Sequence, residues 1–200
     1  MIDNFAEKAA DWDSPQKIKM TEKYVSELLK LITLHKNQKA LELGAGTGLV
    51  GFKLLPKINS VVFVDTSAAM LEILKRKIKP DDQVEVLHGD VLLYDKKDID
   101  LVVSNMAFHH IINIKDVLKH LYKITSDHAK IVISDLVSED GSFHNFEEVP
   151  HKGFEIEDLS AQFEDEGFKN IKSYVYTTLK REKSDGKMHY YDQFILLAEK

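Results

Sequence analysis

The 200-residue chain contains no cysteine. That absence excludes disulfides and thiolate metal sites, and it is compatible with a reducing cytoplasm. No stretch approaches the ~18 consecutive apolar residues that a membrane helix needs. The opening residues Met1-Ile2-Asp3-Asn4-Phe5-Ala6-Glu7-Lys8 lack a basic start followed by an apolar run, so no signal peptide is legible. A soluble, cytoplasmic protein without a membrane partner is expected. Internal repeats, low-complexity tracts and linkers are absent too. Nor is there an excess of positive charge: 27 Lys and Arg stand against 33 Asp and Glu, a net charge of −6. A surface built for a polyanion is disfavoured, and no nucleic-acid partner is expected.

What is present fits one globular domain with a substantial core, since 44% of residues are hydrophobic and 30% charged. Residues 14–35 read as an amphipathic helix, with Ser14 as N-cap and Pro15 in the first turn. Strands are predicted at 40–43, 60–65, 83–88, 99–104 and 129–135. Helices are predicted at 67–78 and 113–124. Strands alternating with helices imply a parallel sheet covered on both faces. The tail differs: a helix over 156–166, with Gly167 just past its end, precedes two β-rich runs at 171–179 and 188–198. The turn chemistry of Lys183-Ser184-Asp185-Gly186 between those runs predicts an antiparallel hairpin.

The most informative stretch is Lys39-Ala-Leu-Glu-Leu-Gly-Ala-Gly-Thr-Gly-Leu49. A short apolar strand runs into Gly44, Gly46 and Gly48, and an apolar segment at helical spacing follows. Such glycines let a backbone turn tightly and lie flush against a ligand, beside the positive end of a helix. This is a nucleotide-type pocket at the carboxyl end of a first strand. The dinucleotide pattern G-x-G-x-x-G would need glycine where Leu49 stands, and no P-loop Gly-Lys-Ser/Thr follows Gly48. Glu42, two residues before the first glycine, suits a ligand with an ammonium or sulfonium charge better than a pyrophosphate.

This pattern resembles the class I S-adenosylmethionine-dependent methyltransferases, and three further segments match in order. Val61-Val-Phe-Val-Asp65 resembles the second strand with its ribose-binding acid, about 20 residues beyond the glycines. Val84-Glu-Val-Leu-His-Gly-Asp90-Val91 resembles the third strand, and Asp98-Ile-Asp-Leu-Val-Val-Ser104-Asn105 the fourth. The final Tyr191–Ala198 run resembles the antiparallel strand that closes the family's sheet. The resemblance covers nearly the whole chain. It implies an α/β fold, a Rossmann-like, doubly wound, mostly parallel seven-stranded sheet with an antiparallel C-terminal hairpin. Residues 1–200 would form one domain: a helical cover at 1–35, a cofactor-binding core at 39–135, and a substrate cap with the hairpin at 136–200.

The resemblance also implies S-adenosylmethionine as cofactor. Gly44, Ala45, Gly46 and Gly48 would follow its ribose and methionine portion. Glu42 would offset the cation through water or by ordering the loop. Asp65, with Thr66 beside it, would accept from the ribose hydroxyls; a helix cap is the alternative for Asp65. Met70 and Val91 would sandwich the adenine, unless Met70 simply fills core. Asp90, after Gly89, would accept from the adenine amine, unless it is merely solvated. Asn105 would touch the methionine tail.

Methyl transfer needs a general base only if the acceptor must lose a proton. His109 and His110 follow the fourth strand; His144 and His151 lie in Phe143–Phe154 after the fifth. These four are the catalytic or substrate-contact candidates, with surface or packing roles as the alternative. His35, His88, His120, His128 and His189 read as surface or capping residues. A metal site is not expected, because adjacent histidines on an extended chain point apart and no His-x-x-x-His pair exists. Phe5 and Trp12 resemble the family's aromatic lid, with plain packing on the sheet edge as the alternative.

Asn105-Met106-Ala107-Phe108 lacks both prolines of the Asn/Asp-Pro-Pro-Tyr/Phe motif that marks methylation of base amines or glutamine amides. The Phe-His-His run resembles the small-molecule branch instead, with Phe143–Phe154 capping a partly apolar acceptor. Two alternatives stay open: a cofactor-binding protein without turnover, and an NAD-dependent dehydrogenase.

Overall fold

The sheet is built from runs that are apolar on both faces, which is what strands covered by helices on either side require. The computed structural model describes residues 3, 5–145, 148–183 and 186–200. Its strands are β1 (Lys39–Leu43), β2 (Ser60–Asp65), β3 (Val84–His88), β4 (Ile99–Asn105), β5 (Thr125–Leu136), β6 (Lys169–Glu182) and β7 (Met188–Glu199). They form one seven-stranded sheet in the order β3-β2-β1-β4-β5-β7-β6. The first five are mutually parallel, and β7 inserts antiparallel between β5 and β6. This is the mostly parallel sheet with an antiparallel C-terminal hairpin that the sequence predicts. Ser184 and Asp185 of the hairpin turn, Asn4 of the cover, and Phe146 and Glu147 of the cap segment lie outside the described residues.

Among the described residues five α-helices accompany the strands: α1 (Pro15–Leu31), α2 (Gly51–Leu54), α3 (Ala68–Lys75), α4 (Ile114–Ile124) and α5 (Ile156–Asp165). Strand alternation divides the core in two. Leu41, Leu43, Val62 and Val64 face Leu118 and Leu121 of α4 and Phe163 of α5. Ala40, Val61 and Phe63 face Tyr24 and Leu28 of α1 and Leu71 and Leu74 of α3. The Tyr24 hydroxyl, fully buried, donates to the Val132 carbonyl at 2.7 Å and fixes α1 across the sheet.

Helices α1 and α3 are shorter than predicted, α3 ending at Lys75 rather than near 78. Helix α1 starts as read, with the Ser14 hydroxyl accepting from the Lys17 N–H, but ends at Leu31 rather than near 35. The β-branched pair Ile32-Thr33 favours extended backbone, and Ile32 adopts it. The segment after the glycines gives only the four residues of α2 before a single 3₁₀ turn at Leu55–Lys57. Pro56 lacks the N–H that would carry the helix on. No helix among the described residues is long and apolar enough to cross a membrane.

Candidate active site

The strand order reverses between β1 and β4, so a crevice opens at their carboxyl ends, where open α/β sheets hold ligands. Gly44 ends β1 there with φ +68°, and a Cβ on it would meet the Ala107 Cβ at 2.2 Å. Only glycine allows the two loops to approach this closely. Gly46, at φ +54°, has the Trp12 indole nitrogen 3.6 Å from where its Cβ would stand. Ala45 is buried, and its N–H and that of Gly44 both donate to the Val64 carbonyl. The Gly48 N–H donates to Ala45, which completes the tight turn.

Glu42 does not face the crevice. Strand alternation turns it under α2, where its Oε2 accepts from the Gly51 N–H at 2.7 Å and its Oε1 from the Val50 N–H at 3.4 Å. Burial pushes its carboxyl up to about 8, outweighing those two bonds. Of the two roles read from the sequence, ordering the loop is the one this geometry serves; a carboxyl neutral at pH 7 offsets no cation. Gly51 belongs to the same device, because a Cβ there would lie 2.6 Å from Glu42 Oε2.

Asp65, at the end of β2, accepts from the Gly46 N–H at 2.6 Å and from the Ser67 N–H at 2.8 Å. Burial raises its pKa against these bonds. Each oxygen keeps a further lone pair, so the carboxylate ties the loop to α3 and still offers acceptors. Asp90 is exposed, and its Oδ1 accepts from the Leu92 N–H at 2.9 Å. Gly89 donates its N–H to the Asp65 carbonyl, and the exposed Thr66 accepts from His88 Nε2. Met70 and Val91 are both buried, so each fills core at the rim. Asn105 Oδ1 accepts from the Gln193 amide of β7 at 3.2 Å.

The histidines are the main surprise. Met106, at φ +60°, reverses the chain after β4, and Phe108–His110 forms a 3₁₀ turn rather than extended backbone. The His109 and His110 rings therefore lie together, centroids 4.1 Å apart, instead of pointing apart. The premise on which a metal site was set aside is thus corrected. His144, in a second 3₁₀ turn at Ser142–His144, brings its ring to 4.9 Å from His109 and 5.5 Å from His110. His151 stands apart in role: its Nε2–H donates to the Ile111 carbonyl at 2.9 Å, and its N–H to the His109 carbonyl. It pins the turn.

His109 is 1% exposed, and its Nδ1 meets Asp135 Oδ1 at 2.6 Å. A carboxylate accepts, so Nδ1 carries the proton and Nε2 keeps a lone pair. That Nε2 is buried without a hydrogen-bond partner. Burial, with His109 and His144 beside it, pushes His110 down to about 3. Asp135, in the final turn of β5, was missed in the sequence. Its signal was available: a carboxylate at the carboxyl end of a parallel strand faces the ligand crevice.

The N-terminal residues lie across this site. Asp13 accepts from the Thr47 hydroxyl at 2.5 Å and pairs with Lys77, while Asp3 caps α3 through Ser67 and Ala69. Phe5 packs edge-on to Trp12 and to His110. The Lys17 ammonium sits on the Trp12 ring; burial first, then Arg181 and Lys8, push it down to about 7. Arg181 of β6 and Lys183 just after it donate to the carbonyls of the His144 turn and hold it. A cavity of about 590 Å³ lies elsewhere, between α2 and the segment that follows α3, lined by Phe52, Lys53 and Lys77, and shares Gly48 and Leu49 with the glycine motif.

Residues 41–131 match a family model described as a methyltransferase domain. An uncharacterised methyltransferase of Bacillus licheniformis is 34% identical over 114 residues, 55% of this chain and 53% of that protein. A mitochondrial ribosomal RNA small subunit methyltransferase of Arabidopsis thaliana is 30% identical over 88 residues, 42% of this chain and 23% of that protein. The chain spans about half the length of the curated relatives it matches. Among solved structures, phosphoethanolamine N-methyltransferase 2 of Haemonchus contortus, in complex with S-adenosyl-L-methionine, shares the fold. Its TM-score is 0.75 at 15% identity, over 90% of this chain and 52% of that one. Sheet order, glycine turn, strand-end acids and the matched core together make this chain similar, in fold and in its methyltransferase-domain segment, to the class I S-adenosylmethionine-dependent methyltransferases.

Proposed function

We propose that the protein transfers a methyl group from S-adenosylmethionine to a small-molecule acceptor by in-line displacement. The residues present suit that donor. The turn through Gly44 and Gly46 carries no side chain of its own, and Asp65 and Asp90 keep acceptor lone pairs that would suit the hydroxyls and amine of an adenosine. When bound, S-adenosylmethionine supplies a methyl carbon already activated by its sulfonium. The chain has to hold the acceptor in line and keep water out.

The observation that carries the acceptor reading is His109. Locked by Asp135, it keeps a buried, unpartnered Nε2 after β4, with the His110 and His144 rings packed against its own. Phe5 and Trp12 close over the same space. A covered chamber of this kind suits a molecule that can be enclosed. The net charge of −6 weighs against RNA, the acceptor in the name of one relative. The cover lifts to admit ligands, because Trp12 lies over Gly46 and Asp13 ties down Thr47.

The test is transfer of a labelled methyl group into a cell extract divided into small-molecule, RNA and protein fractions. Label in the small-molecule fraction is expected. Label confined to RNA or protein overturns the reading.

A further inference from the structure

We propose that His109, His110 and His144 bind a divalent transition-metal ion of the zinc class, with one coordination position left for the methyl acceptor. One ligand nitrogen from each ring lies within 4.8 Å of the others. A tetrahedral ion with bonds of ~2.0–2.1 Å sets its nitrogens ~3.4 Å apart, so the widest pair has to close by about 1.4 Å. Ring rotation supplies that, most readily in His144, which a loop turn carries.

Three features separate this cluster from histidines that merely pack. First, the nitrogens converge from two chain segments far apart in sequence, after β4 and after β5. Second, His109 Nε2 is buried with no hydrogen bond, an unfavourable state unless something fills it. Third, the Asp135 carboxylate takes the opposite nitrogen of the same ring at 2.6 Å. A carboxylate behind an imidazole fixes its tautomer, raises its basicity and orients it toward a metal.

Imidazole ligands suit zinc, copper, nickel, cobalt and iron, whereas magnesium and calcium require oxygen. Three protein ligands describe an open site rather than a closed structural one. Lys8, Lys17 and Arg181 stand around the rim, so the negative charge near the ion comes from Asp135 and from whatever fills the open position. That favours an acceptor binding through a hydroxyl or enol oxygen. The ion lowers the pKa of this group, its proton leaves to solvent, and the oxygen forms its bond to the methyl carbon as the carbon–sulfur bond breaks. No oxidant or reductant is needed. The inference rests on the proposed function only for what the ion holds; the ion's binding does not depend on it.

Cobalt(II) is the probe, titrated into the untagged full chain after chelator treatment, with visible d–d absorption as readout. One saturable equivalent is expected, lost in His109→Ala and His144→Ala. Asp135→Asn, which keeps the shape, should weaken it roughly 10–100-fold. His35→Ala, at an exposed surface histidine, should leave it unchanged. No stoichiometric band in the wild type overturns the proposal, as does a band that survives both alanine variants. S-adenosylmethionine titrated into the same samples reports folding. It also separates the two readings: cobalt failing while that ligand binds sinks only the metal, and the ligand failing sinks the methyltransferase reading.

Discussion

Replacing Glu42 by Gln removes a charge that the fold resists while keeping the carbonyl that the Gly51 N–H needs. Burial lifts this carboxyl from its ordinary value of 4.5 to about 8. The sign follows from linkage. Between those values the folded chain holds a proton that the unfolded chain has released, so this residue's contribution to stability falls as pH rises through the window and levels off above 8. At 1.36 kcal/mol per unit, raising the pH from 5 to 7.5 removes about 3 kcal/mol. For a chain of this size that is about 6–12 °C in midpoint. Other groups titrate over the same range, Asp65 in the same direction, so the informative quantity is the difference between wild type and Glu42→Gln. Thermal unfolding by circular dichroism at several pH values measures it. The variant should gain on the wild type by that amount between pH 5 and 7.5. Parallel curves would refute the buried, loop-bracing carboxyl.

Further predictions concern the loop and its cover. Gly44→Ala forces a Cβ onto Ala107 at a positive φ; binding of S-adenosylmethionine should weaken at least ~10-fold by calorimetry, with stability down by ~1–3 kcal/mol. Asp13→Ala releases Thr47 and Lys77. Limited proteolysis near Trp12 should speed up while the unfolding free energy changes by no more than ~1 kcal/mol. His151→Ala loses its bond to the Ile111 carbonyl; about 1 kcal/mol of stability should go, with methyl transfer nearly intact in the labelled-extract assay.

The glycine-turn side of the candidate site was legible because its signals are local. Glycines at alternate positions and acids at strand ends need only their own strand to be placed, and the structure puts Gly44, Gly46 and Asp65 around one turn. Glu42 was read with two roles, and strand phase would have chosen between them: alternation from Ala40 puts it under α2, where it orders the loop. The acceptor side was harder to read because it is assembled from segments that only tertiary structure joins. His109 depends on a reversal at Met106, His144 on a turn clamped by β6, and Asp135 on the parallel register of β4 and β5. Apolar spacing after the glycines gave a helix without its length, which Pro56 limits to the four residues of α2 and one 3₁₀ turn.

Calorimetric titration of S-adenosylmethionine and of its demethylated product into the wild type and Asp65→Ala addresses the cradle itself. Saturable one-site binding to the wild type, weakened at least ~10-fold in the variant through loss of charge-assisted hydrogen bonds, is the predicted result. No heat from either compound, or tighter binding of a nicotinamide dinucleotide, would contradict the account.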